Sequence, residues 1–225
     1  MHLDPVHAAW FCRMPSLSLT GHTGSGACHN SFMLVLASAS PRRNELLTQA
    51  GYRFRVHPAH INEDPLADED PIVYVTRLAR EKAEAVFREL TTASPKPERI
   101  AVLGADTTVT LDNSILGKPA DAADAVRILR LLSGRTHRVI TGVALVTAEG
   151  TEVAAEVTAV RFLTLSEAEI ADYVAGGEPM DKAGAYAIQG RAARWIPRIE
   201  GCYFNVMGLP LALVSSLLES CNIVR

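Results

Sequence analysis

Met33-Leu34-Val35-Leu36-Ala37-Ser38-Ala39-Ser40-Pro41-Arg42-Arg43 is the stretch on which the reading of this chain turns. Its first four residues are apolar and read as a buried strand. Ser40 stands at a capping position, and Pro41 suits the first turn of a helix, where its missing N–H costs nothing. A strand therefore hands over directly to a helix. Free N–H groups at such a helix start favour an anion. Ser38, Ser40, Arg42 and Arg43 bring hydroxyl and guanidinium donors to the same place, which is how a phosphate site is made. Read in isolation, the run fits a capped helix with solvated arginines better. The remainder of the chain reverses that balance.

From Met33 onward, strands and helices alternate. Residues 41–50 read as a helix stopped by Gly51, and 52–57 as a strand. A polar loop covers 60–69. Asp70-Pro71 starts a helix that runs to about Leu90. Residues 100–105 read as a buried strand. Residues 107–111 and 114–116 flank Asp112-Asn113 as a hairpin. Asp121 caps a helix ending at Gly134. Residues 138–147 and 152–163 are β-branched-rich and pair antiparallel through Ala148-Glu149-Gly150. Ser166 and Glu169 form a capping box for a helix to about Ala175, and a last helix covers roughly 206–220. The antiparallel pairs make this a mixed α/β fold, not a strictly doubly wound one.

The 225 residues suffice for one sizeable domain. The formal charge of −3, from 22 basic and 25 acidic residues, leaves no basic field for nucleic acid. No window has the apolar length of a membrane span. Cys12, Cys28, Cys202 and Cys221 form no CxxC pair, so a reducing, cytoplasmic setting is expected. Residues 1–32 show no sustained period and read as a flexible leader, with Met33 as the expected natural start and 33–225 as the folded domain. Gly21-His22-Thr23-Gly24-Ser25-Gly26 lacks the Gly-Lys-Ser/Thr ending of a phosphate loop. The leader has no apolar stretch of the kind a signal peptide needs.

The candidate chemistry is spread along the chain. Lys82 falls on the buried side of the apolar stripe Leu78, Ala79 and Val86, so it must snorkel or meet an anion. Glu63 lies in the preceding loop. Asp106 follows Val102-Leu103-Gly104-Ala105 and is expected at the carboxyl end of a buried strand, where α/β folds gather ligands. A carboxylate there suits a metal ligand or general base. Thr107 sits beside it, and Gly117-Lys118-Pro119 places a lysine at the base of the hairpin. Residues 178–190 read as a loop leading into a strand over Ala185–Ile188, with Gln189 at its end. Arginines and lysines set against Glu63 and Asp106 suit a metal-bound polyphosphate.

Seven segments in one order resemble the Maf family of nucleoside triphosphate pyrophosphatases. They are LASASPRR (36–43), RLAREKA (77–83), LGADT (103–107), GKP (117–119), LSGRTHRVITGV (132–143), EPMDKAGAYAIQG (178–190) and NVMGLPL (205–211). Arg42, Thr107 and the Tyr-Ala-Ile-Gln segment resemble the branch acting on dTTP and UTP, rather than the one that takes 7-methyl-GTP. The resemblance implies a Maf/ITPase-like α/β fold, a long bent mixed sheet flanked by helices, with two lobes around a cleft. It implies Asp106 as the proton acceptor, Lys82 and Glu63 beside it, and Asp106 with Glu63 around a divalent cation, Mg²⁺ or Mn²⁺. Ser38, Arg42, Arg43, Lys82 and Lys118 would hold the triphosphate, and Arg42, Thr107 and Gln189 would tune base choice. The expected activity is hydrolysis of dTTP and UTP, or modified pyrimidine nucleotides, to monophosphate and pyrophosphate, clearing the nucleotide pool. A homodimer is also implied. The alternative is a nucleotide-binding inhibitor of cell division that acts through binding. The carboxylates Asp106 and Glu63 among the cations favour the enzyme, because a pure binder has no use for them.

Overall fold

The computed structural model describes residues 32–93 and 99–223, so the leader expected over 1–32 lies outside the described residues except for Phe32. Strand β1 (Met33–Leu36), helix α1 (Pro41–Gln49) and strand β2 (Phe54–Val56) form a parallel β–α–β unit. Helix α2 (Pro71–Thr92), capped by Asp70 on the N–H groups of Ile72 and Val73, leads to β3 (Ile100–Leu111), parallel to β1 on its other side. A hairpin adds β4 (Ser114–Leu116), and α3 (Ala122–Leu132) follows. The long strands β5 (Thr136–Thr147) and β6 (Gly150–Arg161) pair antiparallel, as their sequence predicts. Then come α4 (Glu167–Ala175) with its Ser166/Glu169 capping box, three short 3₁₀ turns, β7 (Arg198–Glu200), α5 (Tyr203–Met207) and α6 (Leu211–Ser220). The sheet is mixed and seven-stranded, ordered β2-β1-β3-β5-β6-β7, with β4 on β3.

Side-chain alternation along the strands divides the core. On one face, Leu34, Leu36, Ala101, Leu103, Val143 and Leu145 pack with Leu46, Leu47, Val214 and Leu218 of α1 and α6. Farther along that face, Val109, Leu111, Val139 and Val160 pack with Ile128, Leu129 and Leu132 of α3 and with Tyr173, Tyr186 and Trp195. The opposite face packs Val35, Val102, Ala144 and Val146 on Ala79, Ala83 and Val86 of α2.

Helix α2 lies unusually close to the sheet. A Cβ at Gly104 would stand 2.1 Å from the Ala79 carbonyl oxygen, and one at Gly142 would stand 2.3 Å from that of Val75. Glycine on two neighbouring strands therefore lets the helix backbone down onto them.

Three local readings need correction. Asp106 is not at a strand end: β3 continues to Leu111, because β5 pairs with it from Val102 through Thr110. Ala185–Ile188 is not a strand. The left-handed φ values of Gly184 (71°) and Ala185 (59°) turn the chain, and Gly184 lies against Val109 with its N–H on the Gly117 carbonyl. The last helix is two, α5 and α6, broken where Gly208 adopts a φ of 108° and Pro210 offers no N–H.

Candidate active site

The strand pairing explains where the site lies. On one side of β3, β1 pairs only as far as Leu103, and β4 begins at Val109. The edge of β3 from Gly104 to Thr108 is left open beyond the carboxyl end of β1. Successive side chains point to opposite faces, yet Asp106 and Thr107 both reach the gap. A cavity of about 730 Å³ opens there, and Ser38, Arg42, Arg43, Glu63, Lys82, Asp106, Thr107, Lys118 and Gln189 all line it. The ligand-gathering strand end is thus that of β1, not of the strand that carries Asp106.

The buried pair is the centre. Lys82 Nζ donates to Asp106 Oδ1 at 2.7 Å and stands 3.0 Å from Glu63 Oε1. Lys82 and Asp106 are each 7% exposed, whereas the Glu63 side chain is more than half exposed. Lys82 therefore meets two anions instead of snorkelling. The close approach at Gly104, one residue pair before Asp106 on the same face, allows it to reach them.

The cations of the cavity fall into two groups. Arg43 is committed to the protein: Nε donates to the Gly208 carbonyl at 2.8 Å, and its terminal nitrogens donate to Ser38 Oγ at 3.2 Å and Thr107 Oγ1 at 3.0 Å. Burial pushes the Arg43 guanidinium below its ordinary value, while the nearby Asp106 and Glu63 act against that. Arg42 and Lys118 make no ion pair or side-chain hydrogen bond among the described residues, and neither does the Gln189 amide. Their donors are free for a ligand.

Ser40 does not cap α1 with its side chain. Ser38 Oγ instead accepts from the Ser40 N–H at 3.2 Å and from Arg43, leaving its own hydrogen to donate into the cavity. Thr107 Oγ1 lies 2.9 Å from Thr141 Oγ1, which in turn donates to the Asn205 carbonyl. Thr107 is thus tied to α5 through Thr141 and Arg43.

Sequence reading passed over two residues of the cavity wall. Lys182 is paired with Asp181, and its segment is drawn in by the Gly184–Gly117 hydrogen bond, which also brings Lys118 near. Its place within the matched segment EPMDKAGAYAIQG was the available signal. Tyr74 also lines the cavity and donates to the Glu63 carbonyl at 2.9 Å. Burial, with Asp106 and Glu63 adding to it, pushes its phenol up to about 12.

Glu63 and Asp106 offer carboxylate oxygens that already converge on one cation, the Lys82 ammonium. Hard oxygen donors of this kind fit Mg²⁺ or Mn²⁺. No group of three or more His, Cys, Asp or Glu side chains stands ready to hold a metal among the described residues.

The chain is similar to several named proteins over most of its length. A dTTP/UTP pyrophosphatase of Koribacter versatilis is 52% identical over 191 residues, covering 85% of this chain and 95% of its own length. One of Geobacter sp. (strain M21) is 54% identical over 188 residues, with 83% and 94% covered. One of Salmonella typhimurium is 50% identical over 192 residues, with 85% and 94% covered. Among solved structures, the Staphylococcus aureus Ham1 protein aligns at 12% identity and a TM-score of 0.42 over 84% of this chain and 98% of that one, too distant to add to the fold described above. The family model described as Maf-like protein matches residues 33–221, the whole of the sheet and every cavity residue named above, and the chain belongs to that family.

Proposed function

We propose that this cleft hydrolyses dTTP and UTP to the nucleoside monophosphate and pyrophosphate. The observation that carries the reading is the identity of half or more, across nearly the full length of relatives named dTTP/UTP pyrophosphatases. The site supplies a physical route to the same chemistry. Asp106 Oδ1 is engaged by Lys82, and Oδ2 takes the proton of a water. The water oxygen forms a bond to the α-phosphorus. The bond from that phosphorus to the bridging oxygen breaks, and pyrophosphate leaves with the electron pair. Arg42 and Lys118, uncommitted in the structure, bind phosphate oxygens and offset the charge that develops on the leaving group. The Ser38 hydroxyl donates to the same chain of phosphates. Arg43 acts chiefly by holding Ser38 and Thr107 in place.

Glu63 and Asp106 would hold a divalent cation, Mg²⁺ or Mn²⁺, which would supply Lewis-acid polarisation of the phosphate oxygens. The Gln189 amide can donate and accept at once, and so meets the carbonyl and N–H of a uracil or thymine edge. The enzyme is further proposed to work in the cytoplasm as a homodimer, clearing canonical or modified pyrimidine nucleotides. No helix among the described residues is long and apolar enough to cross a membrane.

A nucleotide panel with product identification tests the proposal. UTP and dTTP should be consumed in preference to ATP and GTP, giving monophosphate and pyrophosphate in equal amounts. Diphosphate and orthophosphate as products would refute the pyrophosphatase chemistry. A preference for 7-methyl-GTP or ITP would refute only the choice of base.

A further inference from the structure

The loop before α2 carries Glu63 and has almost no apolar anchor of its own, since Leu66 points into solvent at 61% exposure. It is nevertheless fastened to α2 by polar groups. Tyr74 Oη donates to the Glu63 carbonyl at 2.9 Å. One turn on, Arg77 donates to the Asp64 carbonyl at 3.2 Å and grips Glu69 through two hydrogen bonds of 2.7 Å. Glu69 in turn accepts from the Leu66 N–H at 3.0 Å, closing the loop on itself. Around α2, Tyr74 lies between Arg77 and Lys82. The backbone of Glu63 is therefore held by Tyr74, while its carboxylate reaches Lys82 at 3.0 Å.

We propose that Tyr74 and Arg77 are positioning residues that fix the Glu63 carboxylate beside Asp106, so that a weakly anchored loop presents a preorganised cation ligand. The inference rests on the reading of Glu63 as a cation ligand. The physical reason for such a device is plain. A half-exposed glutamate on a loop with little core contact would sample many positions, and ordering it on each binding event would cost affinity. A tyrosine and an arginine on a packed helix remove that disorder in advance. The Glu69 carboxyl is held low by its hydrogen bond to Arg77, so this latch stays charged.

The test uses the full chain with Mn²⁺ and a non-hydrolysable UTP analogue, reading bound Mn²⁺ by electron paramagnetic resonance. Tyr74→Phe removes one hydroxyl and should raise the Mn²⁺ dissociation constant about tenfold, the low end of the effect of losing an outer-shell partner. Amide hydrogen exchange over residues 60–69 should quicken in the same variant. At saturating Mn²⁺ its kcat for UTP should return to near the wild-type value. Arg77→Gln is the second variant and should act in the same direction. Glu63→Gln should weaken Mn²⁺ binding by itself, and adding Tyr74→Phe to it should weaken binding no further. Normal Mn²⁺ binding by Tyr74→Phe alongside weak binding by Glu63→Gln would overturn the positioning role alone. So would additive losses in the double variant. Normal binding by Glu63→Gln would overturn the reading of Glu63 and this inference with it.

Discussion

Lys82 Nζ and Asp106 Oδ1 lie 2.7 Å apart, and each residue is 7% exposed. The two residues come from different elements, and they meet because α2 rests on glycines of β3 and β5. Breaking a buried ion pair by removing one partner strands the other charge, which costs about 3–5 kcal/mol. Lys82→Ala should therefore lower thermal stability and activity together. A snorkelling lysine would have shown a small stability change with unaltered kinetics.

Asp106→Asn keeps the shape and removes the proposed proton acceptor. We expect kcat for UTP to fall about 10²–10⁴-fold, the usual contribution of a general base, with nucleotide still bound. Steady-state kinetics together with calorimetric binding of UTP would check it. Near-normal turnover would remove Asp106 from the chemistry.

The committed and the free cations should behave differently. Arg42→Ala and Lys118→Ala should raise KM for UTP and leave the melting temperature close to wild type, since neither side chain forms an ion pair or side-chain hydrogen bond among the described residues. Arg43→Ala should lower the melting temperature as well, because the Gly208 carbonyl, Ser38 and Thr107 lose their donor at a cost of about 2 kcal/mol. Arg43→Lys should not restore it, as an ammonium cannot span three acceptors in a plane. Thermal melts of the four variants beside their kinetics decide the matter.

Gly104→Ala sets a Cβ 2.1 Å from the Ala79 carbonyl oxygen, so α2 must lift from the sheet. Overpacking of this kind costs about 1–3 kcal/mol. It should also carry Lys82 away from Asp106, so activity should fall more steeply than stability alone explains. A variant with wild-type melting and turnover would contradict the close approach.

His137 is 2% exposed, bonded through Nε2 to the Tyr186 hydroxyl at 2.8 Å, with no hydrogen-bond partner for Nδ1 among the described residues. Burial pushes it from its ordinary 6.5 down to about 4. A histidine held neutral in the fold but protonated when unfolded makes the unfolded state bind more protons between those values. Its contribution is whole above about pH 6.5 and is lost as pH falls toward 4, about 3 kcal/mol in all. Melting temperatures of the wild type and His137→Gln between pH 4 and 7 should converge as the pH falls. Parallel curves would show that His137 does not titrate this way.

Gln189→Glu exchanges an amide donor for a charge beside the triphosphate. We expect UTP and dTTP to lose their advantage over the purine nucleotides, read as kcat/KM across the panel. An unchanged preference would place base recognition elsewhere on the wall.

The order of strands and helices was legible in the chain because those elements answer to local rules. Periodicity marked β1, α2, β5 and β6, and Asp70, Asp121 and Ser166 capped helices where they stand in the structure. The residue types of the site were legible as well, since Ser38, Arg42, Lys82, Asp106 and Lys118 sit in segments whose chemistry points to phosphate. Where a local signal failed, a neighbour distant in sequence was the cause. Asp106 lies mid-strand because β5 extends the ladder past it, and Ala185 turns because Gly184 packs on Val109.

By itself, the sequence determined the fold class and the succession of elements, because these depend on spacing and residue type. Only the tertiary structure decided what each charge does. Arg42 and Arg43 are neighbours with the same side chain, yet among the described residues one makes no ion pair or side-chain hydrogen bond and the other is locked to Gly208, a residue near the far end of the chain. The open edge of β3 likewise exists only because β1 stops and β4 starts where they do. Both are matters of distance between residues remote in sequence, and only packing sets that distance.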